Sequence, residues 1–161
     1  MESGPRPEHR WLQQLVGSWE CRGEGAGPPG EPPWTFEADE TVLALGDCWI
    51  VGEGRGLMPD GSPALTQLTL GYDPARERFV GCFVGSMMTN LWVYEGRLDE
   101  SRRVLTLRTE GPDMSTGRTA AFEDIHELVD DDNRVLRSVM QRADGSWTEV
   151  MRAHYRRKPE R

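Results

Sequence analysis

FVGCFVGSMMTNLWVYEG, residues 79–96, mixes aromatic and methionine side chains with glycine and small polar residues. Side chains alternate in direction along a strand, so one face of its first half would carry Phe79, Gly81, Phe83, Gly85 and Met87. Trp92 and Tyr94 follow a turn near residues 89–90 and extend the same wall. Large residues that alternate with glycine leave gaps beside the rings, and the adaptable methionines can fill or vacate those gaps. The stretch predicts two strands of a barrel wall, around either a pocket or a core filled by side chains.

Turn signals recur along the whole chain at nearly regular spacing, as in MPDGSP at 58–63, YDPARER at 72–78 and ADGS at 143–146. The runs between them have strand length, are rich in β-branched and aromatic residues, and often alternate between apolar and polar residues. We therefore predict an all-β protein of roughly ten antiparallel strands. Residues 8–16 have the spacing of a short helix, which we expect near one end. Closure removes exposed strand edges, so an up-and-down barrel is favoured over a sandwich.

Length and charge limit the kind of protein this is. The 161 residues fit one domain, which we expect to span 1–161 with flexible ends at 1–7 and 158–161. A net charge of -8 repels a phosphate backbone on average, so nucleic acid is not an expected partner.

The sequence contains no apolar run of the length that a signal peptide or a membrane-spanning helix needs. We therefore expect a cytoplasmic protein without membrane contact. The three cysteines, Cys21, Cys48 and Cys82, cannot all pair within the chain and have no CxxC spacing. Reduced thiols are the expected state, and the sequence predicts neither a metal site nor a cofactor.

Two strands near the C-terminus carry polar residues on faces that are otherwise apolar. In the last strand, Trp147, Glu149 and Met151 share the more apolar face. In strand 120–129, Phe122, Asp124 and His126 share the face that lacks glutamate. If both faces point inward, buried polar groups suggest a hydrated or ligand-filled cavity. The alternative is that these polar residues lie on the surface.

These considerations give a set of candidate pocket residues and no catalytic residues. The candidates are Phe83, Met87, Trp92, Tyr94, Phe122, Asp124, His126, Trp147, Glu149 and Met151. Apolar walls with a few polar groups are typical of sites for small, partly apolar molecules.

Several blocks of the sequence resemble a bacterial domain-of-unknown-function family, number 1579. They include LVGSWECRGEG at 15–25, GDCWIVGEGRGLMPDG at 46–61, the run from Thr69 to Asp99, LTLRTEGP at 105–112 and DGSWTEVMRAHYRRK at 144–158. The resemblance spans nearly the whole chain and implies a lipocalin-like (calycin) barrel. It implies no function.

The block at 15–25 also resembles the Gly-x-Trp start of nitrobindin-like haem barrels, in which Trp19 would close one end of the barrel. Those barrels hold haem iron through a histidine near the C-terminus, and the nearest match here is His154. The alternation of the last strand places His154 on the outer face with Arg152 and Arg156, which weakens the haem interpretation.

A non-catalytic module that binds a small, partly apolar molecule is the favoured function. An enzyme would use Glu149, Asp124 and His126 as acid and base groups, but no GxSxG, HExxH or catalytic cysteine pattern accompanies them. A scaffold or oligomerisation protein would instead have a filled barrel and apolar patches outside. The sequence does not distinguish a monomer from a homodimer.

Overall fold

The computed structural model describes residues 4–27 and 30–159 of the chain. One helix and ten strands follow each other in chain order: α1 Pro7–Gln13, β1 Gly17–Gly25, β2 Trp34–Leu45, β3 Trp49–Leu57, β4 Pro63–Asp73, β5 Arg78–Gly85, β6 Trp92–Leu98, β7 Val104–Pro112, β8 Thr119–Leu128, β9 Asn133–Gln141 and β10 Trp147–Arg157. Each strand pairs antiparallel with the next, and β1 also pairs with β10. This closed up-and-down barrel confirms the predicted fold.

The helix closes one end of the barrel. Its residues Trp11 and Leu12 are buried, and so is Leu15 in the turn that follows the helix, at three- and four-residue spacing from them. The predicted helix at 8–16 is longer than the observed one. After Gln13 the backbone N–H groups bond to carbonyls three residues back, and Gly17, with a φ of 140°, begins β1.

Side chains fix this closed end to the strands. The indole N–H of Trp11 donates to the carbonyl of Arg102 at 2.6 Å, and that of Trp19 donates to the carbonyl of Leu15 at 2.9 Å. The Arg157 guanidinium donates to the carbonyls of Val16 and Gln14, at 2.7 and 2.9 Å. The helix is therefore a fixed plug.

The half of the barrel next to the helix is packed solid. Its inward side chains are large and almost fully buried, and they include Trp19, Val42, Ile50, Leu70, Phe79, Leu105 and Leu107. Burial of this apolar area is the main stabilising contribution to the fold. The other half, which we call the open half, ends at the loops that follow β1, β3, β5, β7 and β9.

A β-bulge in β10 corrects part of the predicted inner face. The pairing of β10 with β9 shifts by one residue between Glu149 and Met151. Val150 is therefore an additional residue of β10 that has no partner on β9. A one-residue shift reverses the direction of every side chain before it. Met151 faces inward as predicted, but Trp147 and Glu149 lie on the outer face.

The predicted flexible ends lie partly outside the described residues, namely at 1–3 and 160–161. In the described part of these two ends, Pro7 begins the helix, and the backbone N–H of Lys158 donates a hydrogen bond to the carbonyl of Ser18 at 2.8 Å. No helix within the described part of the chain is long and apolar enough to cross a bilayer.

Candidate functional site

The open half of the barrel is lined on one side by small residues. Cross-strand register places a run of them on the inner face of β1 to β5: Gly23, Ala38, Gly54, Gly56, Ala64, Thr66 and Gly85. All seven are partly exposed although they face inward. Phe36 and Trp34 on β2 also face inward, and their rings lie over Gly23 and Gly25. The part of the wall without large side chains is therefore the stretch from Ala38 on β2 to Gly85 on β5.

Aromatic and sulfur-containing side chains form the opposite side. Phe83, Trp92, Met140 and Met151 face inward and are also only partly buried, whereas Phe122 is 9% exposed. Trp92 packs edge-to-face against Phe122, with ring centroids 5.1 Å apart. Solvent therefore reaches the apolar lining of the open half, as expected for a cavity with a mouth.

Three polar residues lie at the bottom of this space, and we call them the polar floor: Tyr94, Asp124 and Ser138. The Tyr94 hydroxyl donates a hydrogen bond to the Asp124 carboxylate, and Ser138 lies directly opposite Asp124 on β9. Burial raises the pKa of Asp124, and the hydroxyl groups of Tyr94 and Ser138 oppose the rise. Burial, with the nearby carboxylate, also raises the pKa of Tyr94 well above its usual value. Tyr94 is therefore a neutral donor to Asp124.

Beneath the polar floor, Arg134 and Glu40 form a buried ion pair. The Arg134 guanidinium also lies over two aromatic rings, 3.9 Å from the centroid of Tyr155 and 4.6 Å from that of Trp19. Glu40 supplies the opposite charge, so the pair adds no net charge to the interior.

His126 follows Asp124 on the inner face of β8 and is 4% exposed. Burial, with a smaller contribution from the positive charge of Arg134, lowers its pKa to about 3. The ring is therefore neutral near pH 7. Its Nδ1 atom is buried without a hydrogen-bond partner among the described residues, as is the Thr109 hydroxyl. Unpaired buried polar atoms of this kind are uncommon in folded proteins.

Cys21, on the inner face of β1, is a thiol rather than a reactive thiolate. Burial raises its pKa to about 11, although a hydrogen bond with Tyr155 acts in the opposite direction. In the described part of the chain, no three side chains of His, Cys, Asp and Glu come together as a metal-binding set.

The structure brings together seven of the ten predicted pocket residues on the inner face: Phe83, Trp92, Tyr94, Phe122, Asp124, His126 and Met151. Met87 lies beyond the end of β5 and is 41% exposed, so it belongs to the rim. Trp147 is 44% exposed on the outside. Glu149, also outside, accepts a hydrogen bond from Arg152 at 2.8 Å.

The predicted acid and base trio is not assembled, because Glu149 lies on the other side of the wall from Asp124 and His126. The hydrogen bond of Asp124 comes from Tyr94. His154 is exposed and pairs with outward-facing Val135, so the predicted orientation of the one histidine suggested for haem iron is confirmed.

Sequence reasoning missed Glu40 and Arg134 as interior polar residues. A signal was present for Arg134, because alternation places it on the same face of the strand as Leu136 and Met140, which are apolar. Nothing local marks Glu40 as its partner, since 94 residues separate the two.

Several solved structures share this fold. Rv2717c from M. tuberculosis aligns with a TM-score of 0.65 at 17% identity, over 97% of this chain and 100% of that one. The S-type phycobiliprotein lyase CPES from Guillardia theta aligns with a TM-score of 0.63 at 17% identity, over 96% of this chain and 94% of that one. EF1p2_mFAP2b bound to DFHBI aligns with a TM-score of 0.50 at 9% identity, over 93% of this chain and 98% of that one. At these identities the likeness establishes the fold alone.

No curated protein matches the sequence of this chain. Residues 4–157 match a family described as "Protein of unknown function (DUF1579)". The match includes the helical plug and all ten strands. The protein therefore belongs to this family of unknown function, the same family that its sequence blocks resemble.

Proposed function

We propose that the protein is a binding module whose ligand is a small, partly apolar molecule held in the open half of the barrel. The observation that carries the proposal is the partial exposure of inward-facing side chains there, including Phe83, Trp92 and Met151. A core filled by side chains would bury these residues, as the half next to the helix buries Ile50 and Leu107.

The lining indicates what kind of molecule fits. Phe83, Trp92 and Met151 suit an apolar body, preferably a ring that lies against the glycine-lined wall. Asp124 in the polar floor accepts a hydrogen bond from Tyr94 and lies directly opposite Ser138. A carboxyl group has further lone pairs that can accept, so it favours a ligand end that donates a hydrogen bond.

The fold is compatible with this role. One solved barrel of the same fold has DFHBI bound, and another is a phycobiliprotein lyase. The polar groups beneath the polar floor add no net charge, because Arg134 is neutralised by Glu40 and His126 is neutral. They therefore do not alter the preference of Asp124 for a ligand end that donates a hydrogen bond.

Two fluorescent probes with the same aromatic body test the proposal. Phenylnaphthylamine is neutral and carries an N–H donor, and anilinonaphthalene sulfonate adds one negative charge to that body. We expect wild type to bind phenylnaphthylamine saturably and more tightly than the sulfonate, and to show quenching of tryptophan emission. Absence of saturable binding of either probe would contradict the binding function.

Substitutions locate the site of binding. Asp124→Asn replaces the ionisable carboxyl group of the polar floor by a neutral amide and should narrow the difference in affinity between the two probes. Glu149→Gln makes the same replacement on the outer face and is the matched control, which should leave both affinities unchanged. If Glu149→Gln acts and Asp124→Asn does not, the probes bind outside the barrel.

A further inference from the structure

Two aromatic side chains at the start of β2 line the mouth of the open half. Trp34 and Phe36 alternate with Ala38 on the inner face of the strand, and the centroids of their rings are 5.4 Å apart. A Cβ atom on Gly25 would overlap the indole of Trp34, and one on Gly23 would overlap the ring of Phe36. Each ring therefore lies against the backbone of β1 on one side and is turned toward the interior on the other. We call Trp34 and Phe36 the β2 aromatic pair.

The β2 aromatic pair is open toward the interior of the barrel. Trp34 is 46% exposed and Phe36 is partly exposed, although both point inward. Because one face of the Trp34 indole lies over Gly25, its exposure comes from the other face and the edges of the ring. Trp19, which also points inward but is covered on both faces, is only 1% exposed. The free faces of the pair are therefore available to a ligand.

A second aromatic surface lies on the opposite side of the interior. The indole of Trp92 on β6 lies over Gly111 of β7, and its N–H donates to Sδ of Met88 at 3.0 Å, which fixes the orientation of the ring. In the ten-stranded barrel β1 lies opposite β6, and β2 lies opposite β7. Trp92, whose ring spans β6 and β7, therefore lies across the open half from the β2 aromatic pair, whose rings span β1 and β2.

The polar floor closes the inner end of the space between these two surfaces. Tyr94 is the next inward residue after Trp92 on β6, about 7 Å farther along the strand. Asp124 follows Phe122 in the same way on β8. The wall of small residues on β2 to β5 flanks the space on one side. The result is a space with aromatic surfaces on two opposite sides and a hydrogen-bond acceptor at its inner end.

We infer that the ligand is a planar molecule of two or more fused aromatic rings, which packs between the β2 aromatic pair and Trp92 and carries a hydrogen-bond donor at its inner end. This inference deepens the proposed function and rests on it. A single six-membered ring is too short to cover two rings whose centroids are 5.4 Å apart. A flexible alkyl chain of the same apolar area would lose rotational freedom on binding, and a saturated ring would lack the stacking contribution.

Two alcohols with the same carbon skeleton test the inference by isothermal titration calorimetry. 2-Naphthol is planar and aromatic, whereas decahydro-2-naphthol is puckered and saturated. Each has one hydroxyl group to donate to the polar floor. Wild type should bind 2-naphthol about tenfold more tightly, since aromatic contacts add to affinity beyond the area that they bury.

Substitutions separate stacking from the stronger hydrogen-bond donor of 2-naphthol. Trp34→Leu should reduce the preference for 2-naphthol, and Trp34→Leu with Phe36→Leu should reduce it further, because a leucine offers no flat face. The matched control is Trp147→Leu. Trp147 is 44% exposed at the same end of the barrel but lies on its outer face, so the preference should stay as in wild type. Far-ultraviolet circular dichroism checks that the variants keep the fold.

The outcomes distinguish this inference from the binding function itself. A wild type that binds phenylnaphthylamine but does not prefer 2-naphthol overturns the inference and leaves the binding function in place. If the protein binds neither phenylnaphthylamine nor 2-naphthol, the binding function fails and the inference fails with it. A preference that survives in the double variant, or that Trp147→Leu removes equally, also overturns the inference, because the aromatic contacts then lie elsewhere.

Discussion

Arg134 on β9 and Glu40 on β2 form an ion pair across the interior of the barrel, between strands that β10 and β1 separate in the sheet. Their side chains are 3% and 12% exposed. The pair lies between the packed half next to the helix and the polar floor, with Tyr155 and Trp19 against the guanidinium. Two distant parts of the chain must therefore meet correctly before either charge is compensated.

Removal of one partner should destabilise the protein far more than removal of both. Arg134→Met leaves the Glu40 carboxylate buried and unpaired, which should lower the free energy of unfolding by about 3–5 kcal/mol. The double variant Arg134→Met, Glu40→Leu removes both charges and should regain most of that loss. Urea unfolding midpoints of the three proteins measure this. A double variant as unstable as Arg134→Met alone would show that packing, rather than charge, explains the loss.

The buried histidine should make stability depend on pH. The pKa of His126 is lowered from 6.5 to about 3 in the folded protein, so below pH 6.5 the unfolded chain takes up a proton that the folded chain does not. Stability therefore falls as pH falls through this window, by about 1.4 kcal/mol per pH unit. The raised pKa of Asp124 acts in the opposite direction, since protonation of the folded state is favoured there.

A His126→Leu variant isolates the histidine, because Asp124 is retained in both proteins. Between pH 6 and pH 4.5, wild type should lose about 2 kcal/mol more stability than the variant. Urea unfolding at several pH values provides the measurement. Parallel pH profiles for the two proteins would show that His126 titrates in the fold as it does in the unfolded chain.

Two inward-facing glycines on β5 should respond differently to a methyl group. A Cβ atom on Gly81 would overlap the backbone carbonyl of Thr69, whereas one on Gly85 would meet mainly the flexible end of Met87. Gly81→Ala should therefore cost about 1–3 kcal/mol of stability. Gly85→Ala should be neutral or stabilise by up to about 1 kcal/mol, because it restricts the unfolded chain. Equal losses in urea unfolding would indicate that the wall is as crowded at Gly85 as at Gly81.

The fold could be predicted because nearly every strand carries its own pattern. In β8 the alternation of Phe122, Asp124 and His126 with glutamates favoured their face as the inner one, and the structure places all three inward. Period-two patterning is a local property, so a single sequence contains it.

The site was less predictable because two of its determinants are not local. Val150 interrupts the polar face of the last strand, and it is the residue that the bulge inserts, but a single apolar residue did not identify the bulge before the pairing with β9 was known. Arg134 was missed because an arginine is usually exposed, and its burial depends on Glu40 from the other end of the chain.

The central claim is that the open half encloses space for a ligand, and a stoichiometric titration of phenylnaphthylamine against wild type and Gly85→Leu tests it most directly. Wild type should saturate at one probe per chain. Gly85→Leu should lose that binding while its urea midpoint stays close to that of wild type, because a true void accepts extra methylene groups whereas a packed core is strained by them. A wild type without saturable binding, or a Gly85→Leu variant that loses stability and binds the probe unchanged, would contradict the claim.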